Sequence, residues 1–297
     1  MTRTQYNQPT LSITDQLNLL SHRGLSLPDQ AEARHLLENI SMFRLKGYLY
    51  PFEQNHLTHQ FKPGASLTQA LMLHHFDVAL RSFVLSMIAR VEVSVRTQIS
   101  QTVSERTDQF WYIDSSNFSN ASAHSDLLSR LQNEISRSDD DQIVSFRAQY
   151  SNPWPPCWMA VELSSMGNLS KMYKLLGSPN DRRTIASYYD LADPVMESWL
   201  HSLTYIRNIC AHHGRLWNRT LRISPSVPRH PRRPFMVRLA ANNRIYFVLC
   251  IIKYMLDVIE PNNDMLTRLR WLFVDYPQID PHAMGFPDSW ELEPLWR

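Results

Sequence analysis

The stretch "FDVALRSFVLSMIARVEVSVRTQI", residues 76–99, repeats its apolar side chains at intervals of three and four. Phe76, Leu80, Val84, Met87, Val91 and Val95 would fall on both faces of a strand but share one stripe of an α-helix. No glycine or proline interrupts the pattern, so a single long helix is predicted over about 67–103. Its other faces carry Asp77/Arg81 and Glu92/Arg96, acid before base at i,i+4, the favourable order for helix ion pairs. With only 7 glycines in 297 residues, and helical periodicity between the prolines, the fold class is all-α.

Upstream of this rod the sequence reads as short helices. "SITDQLNLLSHRG" opens on a capping residue and stops at Gly24, and "LPDQAEARHLLENI" follows with Leu36, Leu37 and Ile40 in helical register. "FRLKGYLYPF" (43–52) is expected to break at Gly47 and Pro51, and "FKPGASL" to turn into the long helix. Residues 104–122 are polar and loop-like apart from "FWYI". The irregular "NPWPPCW" (152–158) marks a soft boundary near 150, giving an N-terminal helical region, 1–150, and a C-terminal one, 151–297. A helix over about 158–176, interrupted near Gly167, comes next. "IYFVLCII" (245–252) reads as a buried core helix, because a bilayer span needs about 20 apolar residues.

Three widely spaced cysteines, Cys157, Cys210 and Cys250, without a Cys-x-x-Cys pair, argue against a disulfide framework or a thiolate zinc site. The first residues lack an apolar signal core. The expectation is a cytoplasmic protein without membrane attachment.

The formal net charge of +2 hides an asymmetry. From Ser198 to Leu256 there is no Asp or Glu, but nine arginines and Lys253. Such a segment suits a polyanion, or acidic residues elsewhere in the fold. Arginine outnumbers lysine 25 to 5, which favours phosphate and base contacts, since guanidinium forks and stacks where ammonium does not.

Within that segment lies "YIRNICAHHGRLWNR" (205–219). Asp193 as N-cap, Pro194 at N1 and Gly214 at C′ predict a helix over 194–213. On an ideal helix Val195, Trp199, Leu203, Ile206 and Cys210 make a core stripe, with His213 at its edge and His212 near Asn208 and Tyr205. His213 is then expected to be buried, and His212 to face solvent. Arg207 precedes His212 by five positions, about 140° round the helix, so one chain converges them poorly; two copies face to face would surround a phosphate. Beyond Gly214, Pro225, Pro228, Pro231 and Pro234 recur every three residues, the polyproline II period. Such a strap would put Arg229 and Arg232 on one side, either as a rigid linker or as a guide for RNA. A metal site is not expected, because adjacent histidines (His212/His213, His74/His75) splay apart on a helix.

"RNICAH" (207–212) resembles the RNxxxH motif of the HEPN-superfamily ribonucleases. The block "RNICAHHGRLWNR" is similar to the abortive-infection (AbiD/AbiF-type) branch. "QLNLLSHRGL", "ISMFRLKGYLYPF", the long-helix stretch and "WMAVELSSMGNLSKMY" resemble family segments in the same order, over about residues 10–260, as one continuous domain. The resemblance implies a HEPN-like helical bundle with an additional N-terminal helical region, working as a homodimer with a composite active site. It implies a metal-independent endoribonuclease that needs no cofactor and acts as a toxin in anti-phage defence, held in check by a small RNA. On it, Arg207 stabilises the transition state, His212 does acid/base work, Asn208 orients the site and His213 is the reserve base. Arg215, Asn218 and Arg219 grip flanking phosphates or tie down the loop. The competing reading is a non-catalytic RNA-binding protein that senses or sequesters a small RNA; a third is an interaction protein docking an acidic partner.

Overall fold

Short polar side chains start most of the helices. Ser12, Asp29, Ser41, Asn120, Asp140, Ser165 and Ser178 each accept a hydrogen bond from a backbone N–H in the first turn that follows, each worth about 1 kcal/mol. A computed structural model describes residues 5, 7, 9–237 and 240–297; Arg238, one of the nine arginines counted above, lies outside the described residues. Among these, twelve α-helices accompany a single two-stranded antiparallel ribbon. The fold is all-α.

The chain divides into two compact units, one ending at Ala79 and the other starting at Leu80. The first unit holds α1 (Ile13–His22), α2 (Gln30–Asn39), α3 (Met42–Leu49), strands β1 (Glu53–Asn55) and β2 (Gln60–Phe61), and the start of α4 (Leu67–Arg106). Leu17, Leu20, Ala33, Leu37, Leu45 and Tyr48 form its core. Gly47 does not break α3, contrary to expectation. A glycine in a helix costs about 1 kcal/mol, which burial of Leu45, Tyr48 and Leu49 outweighs; the helix yields only at Pro51. "FKPGASL" turns as expected, with Gly64 at φ +79°. Ser66 and Gln69 then cap α4 reciprocally, each side chain bonding the other's backbone N–H.

The second unit contains the rest of α4, then α5 (Ala121–Arg137), α6 (Asp141–Gln149), α7 (Cys157–Ala160), α8 (Met166–Leu175), α9 (Pro179–Tyr188), α10 (Asp193–Ala211), α11 (Ile245–Ile259) and α12 (Met265–Asp275). Val84, Met87, Val91 and Val95 of α4 are fully buried, as the stripe predicts. Glu92, off that stripe, is buried too; its pair with Arg96, at 2.6 Å, neutralises it there. Asp77 and Arg81 are likewise buried. The expected break at Gly167 falls earlier, over 161–165, because Ser165 caps a fresh start for α8 and Gly167 sits within it. α11 is buried on all sides from Ile245 to Ile252, as a helix apolar all round must be. Among the described residues no helix is long and apolar enough to cross a membrane.

α8 and α10 lie antiparallel. The Thr204 hydroxyl donates to the Met166 carbonyl at one end (3.2 Å), and Lys174 pairs with Glu197 at the other (3.2 Å). α9 and α11 pack against further faces of α10. The motif helix therefore sits in the middle of this unit, with its last turns left over for chemistry.

Candidate functional site

α10 starts one residue earlier than the capping rule suggested. Ala192 occupies the N-cap, and Asp193 lies in the first turn, where its carboxylate accepts from Tyr173 (2.9 Å) and pairs with Arg182 (3.0 Å). Negative charge in a first turn suits the helix dipole, so the residue helps without capping. Met196, Trp199, Leu200, Leu203, Ile206, Ile209 and Cys210 are buried. At 100° per residue they span about half the circumference, wider than the stripe read from sequence. Arg207 continues the Leu200/Leu203 row and is half-buried. Asn208 and His212 lie on the open side and are exposed.

The end of α10 differs from expectation in a way that matters for the histidines. His212 is the C-cap, its N–H bonding the Asn208 carbonyl (3.0 Å). His213, not Gly214, takes the left-handed position, at φ +56°. Its N–H reaches the Cys210 carbonyl (3.1 Å), while Gly214 N–H reaches that of Ile209 (2.8 Å). This is the Schellman closure, which satisfies carbonyls the helix would leave unpaired. Because the chain has left helical geometry, the helical wheel no longer applies at 213. His213 is exposed rather than buried on the core edge. The left-handed conformation costs a side chain with a Cβ about 1 kcal/mol or more relative to glycine. His213→Gly is therefore expected to be more stable than His213→Ala by about 1 kcal/mol in urea melts; equal stabilities would show that 213 does not hold this conformation in solution.

The following loop is locked by its own arginines. Arg215 donates to the carbonyls of Trp217 (2.9 Å) and Asn218 (3.1 Å), and Arg219 donates back to Arg215 (3.1 Å). Asn218, also left-handed at φ +48°, accepts from Arg244 through its side-chain oxygen (2.8 Å). Arg244 also holds the Thr220 hydroxyl and the Ala283 carbonyl. Burial and the nearby Arg215 charge push the Arg244 guanidinium below its ordinary value. Arg215, Asn218 and Arg219 thus hold the loop in place through these bonds. Arg244 had no motif to announce it.

The proline strap is pinned at 226 and 235. Trp199 Nε1 donates to the Ser226 carbonyl (2.9 Å), Ser226 N–H donates to the Ser198 hydroxyl (2.8 Å), and Phe235 stacks on Trp199 with centroids 5.9 Å apart. Arg229 and Arg232 are exposed between the pins. Arg233 turns inward onto the Tyr254 ring (4.0 Å) and pairs with Asp190 (2.7 Å). Arg232 shares a surface hollow with Asp193 and Pro194, at the N-terminal end of α10. That end is about 28 Å from His212 at 1.5 Å per residue. The structure therefore does not bring Arg232 to the motif.

What it does gather at one helix end is Arg207, Asn208 and His212, beside the loop held by Arg215, Arg219 and Arg244. Among the described residues no hydrogen bond or ion pair engages the Arg207 guanidinium or the His212 ring. A helix C-terminus carries partial negative charge, which repels phosphate; the arginines at 207, 215, 219 and 244 offset it. The Tyr205 hydroxyl is buried with no partner among the described residues. An unpaired buried hydroxyl costs about 1–3 kcal/mol. Among the described residues no group of three or more His, Cys, Asp or Glu is placed to hold a metal ion.

No curated protein and no solved structure matches the chain. The family model described as "Abi-like protein" matches residues 35–218, from α2 through the motif helix to the loop asparagine. That match spans more than half of the sequence, so the chain belongs to the Abi-like protein family.

Proposed function

We propose that this chain is a metal-independent endoribonuclease of the HEPN type, acting as a toxin in abortive infection. The observation that supports this best is the state of the motif. Arg207 and His212 stand unengaged at one helix end that the fold has closed and braced. RNA supplies its own nucleophile, the 2′-OH. A histidine accepts that proton as the 2′ oxygen bonds to phosphorus, and a protonated histidine donates to the departing 5′ oxygen. The arginine binds the phosphorane's negative charge, and Asn208 orients the scissile group. The products are a 2′,3′-cyclic phosphate and a 5′-OH.

Arg207 and His212 are five positions apart, so their side chains diverge on one helix. The working site is accordingly a homodimer's, with the α10 ends of two protomers facing one phosphate. Cutting of single-stranded RNA should persist in EDTA; reversible loss, restored by Mn²⁺ or Mg²⁺, would overturn the mechanism. Mixing Arg207→Ala with His212→Ala chains should restore cutting well above either alone, since the heterodimer regains one arginine and one histidine in trans. No recovery in verified heterodimers would place the whole site in one protomer. A protein that retains RNA uncut, with affinity falling steeply in salt, would be a binder of the small RNA proposed to silence it. Expression in bacteria, with RNA 3′ ends mapped, would identify the target.

A further inference from the structure

A cavity open to solvent beside the irregular "NPWPPCW" stretch is untouched by the motif. It holds about 750 Å³ between α6 and the turn into α7. Phe146 and Tyr150 form one wall, their rings stacked 5.1 Å apart at 30°. Phe110 and Trp158 also line it, and both Tyr150 and Trp158 are 56% exposed. Gln142 and Gln149, spaced i,i+7 on one face of α6, line the same space, as does Asp141 at the start of α6. Neither lysine nor arginine lines it.

The walls are held independently of any occupant. Cys157 N–H donates to the Gln109 carbonyl (2.8 Å), and the Tyr112 hydroxyl donates to that of Pro155 (2.7 Å). On the other side Arg147 fastens α6 to the carbonyls of Ile135 and Ser138. Exposed aromatic faces on rigid walls are costly in water unless something stacks on them, and a preformed cavity binds without an ordering cost.

We infer that this cavity is a nucleobase subsite, taking an unpaired base that carries an exocyclic amino group, as adenine does and uracil does not. Aromatic faces stack any base. The Asp141 carboxylate accepts from an exocyclic amino group, whereas uracil can donate to it only through N3–H, set between two carbonyl oxygens that the carboxylate repels. Without a cation in the lining, phosphate stays outside, so the site reads the base and not the backbone. The inference rests on the ribonuclease reading for the identity of the polymer only; the cavity itself is independent of the motif.

Non-cleavable 2′-O-methyl hexamers of A and of U, titrated against the full-length chain, provide the test. The A hexamer should bind at least about 10-fold tighter than the U hexamer. Trp158→Ala should weaken A binding by about 10-fold, within the range of roughly 5- to 150-fold expected for losing one stacked base. Asp141→Ala should bring the two hexamers to within about threefold, by loss of the amino contact and of the repulsion. Both positions are exposed and Asp140 still caps α6, so both variants should melt as wild type. Equal binding of the hexamers, or Trp158→Ala leaving affinity unchanged, overturns the inference. So does a fall in assembly mass on Trp158→Ala, which would make the groove an interface between copies, or a proline-rich peptide binding there without competing with A. Wild type that cuts RNA but shows no A-over-U preference sinks this subsite alone; preference without cutting sinks the ribonuclease reading alone.

Discussion

Arg207→Ala is expected to lower the rate of RNA cleavage by about 10²–10³-fold, the usual loss on removing one donor to a developing oxyanion. His212→Ala should cost about 10²–10⁴-fold, the range for a general acid or base. Both chains should still fold. Arg207 is half-buried without a partner among the described residues, and His212 is exposed at a cap whose hydrogen bonds are made by the backbone. Stability should therefore move by no more than about 0.5 kcal/mol. Single-turnover cleavage with thermal melts on the same preparations checks both halves. Cutting within threefold of wild type in either variant would remove that residue from the mechanism. Lost cutting with lost folding would show that the residue supports structure instead.

The largest effect on stability is expected at Trp199, which is fully buried. It stacks on Phe235, meets Tyr254 edge-on at 5.6 Å and donates to the Ser226 carbonyl. Trp199→Ala should destabilise by about 3–5 kcal/mol, from lost transfer free energy and the cavity left behind. Domains are stable by only about 5–15 kcal/mol, so the variant should approach unfolding at physiological temperature. Trp199→Phe keeps most of the ring packing and gives up the indole bond, a loss of about 1–2 kcal/mol. Urea denaturation of both separates packing from hydrogen bonding. A loss below 2 kcal/mol for the alanine variant would mean the strap and α11 close over the gap.

The all-α class and α4 were legible because a 3.6-residue period needs no tertiary context to be seen. α5 was not evident, although Leu127, Leu131 and Ile135 recur at intervals of four, because the rest of the segment is so polar. Gly47 and Gly167 misled for the opposite reason, since local propensity is outweighed where neighbouring side chains are buried. At the candidate site Arg207, Asn208 and His212 could be named only through the resemblance of "RNICAH" to a family motif. The orientation of His213 could not, because it depends on where the helix ends. Arg244 escaped notice because its partners, Asn218 and Ala283, are brought to it only by folding. The aromatic cavity has the same origin, with walls drawn from residues 109–159.

The strap has a consequence for a severed chain. Its exposed arginines offer trypsin the Arg229–His230 and Arg232–Arg233 bonds, while Arg233–Pro234 resists cleavage. Anchors stand on both sides of those bonds: Ser226 is tied to α10 upstream, and Phe235 is wedged against Trp199 and Tyr254 downstream. Scission there should leave a two-piece protein that migrates as one body until denatured, with its helix ends undisturbed.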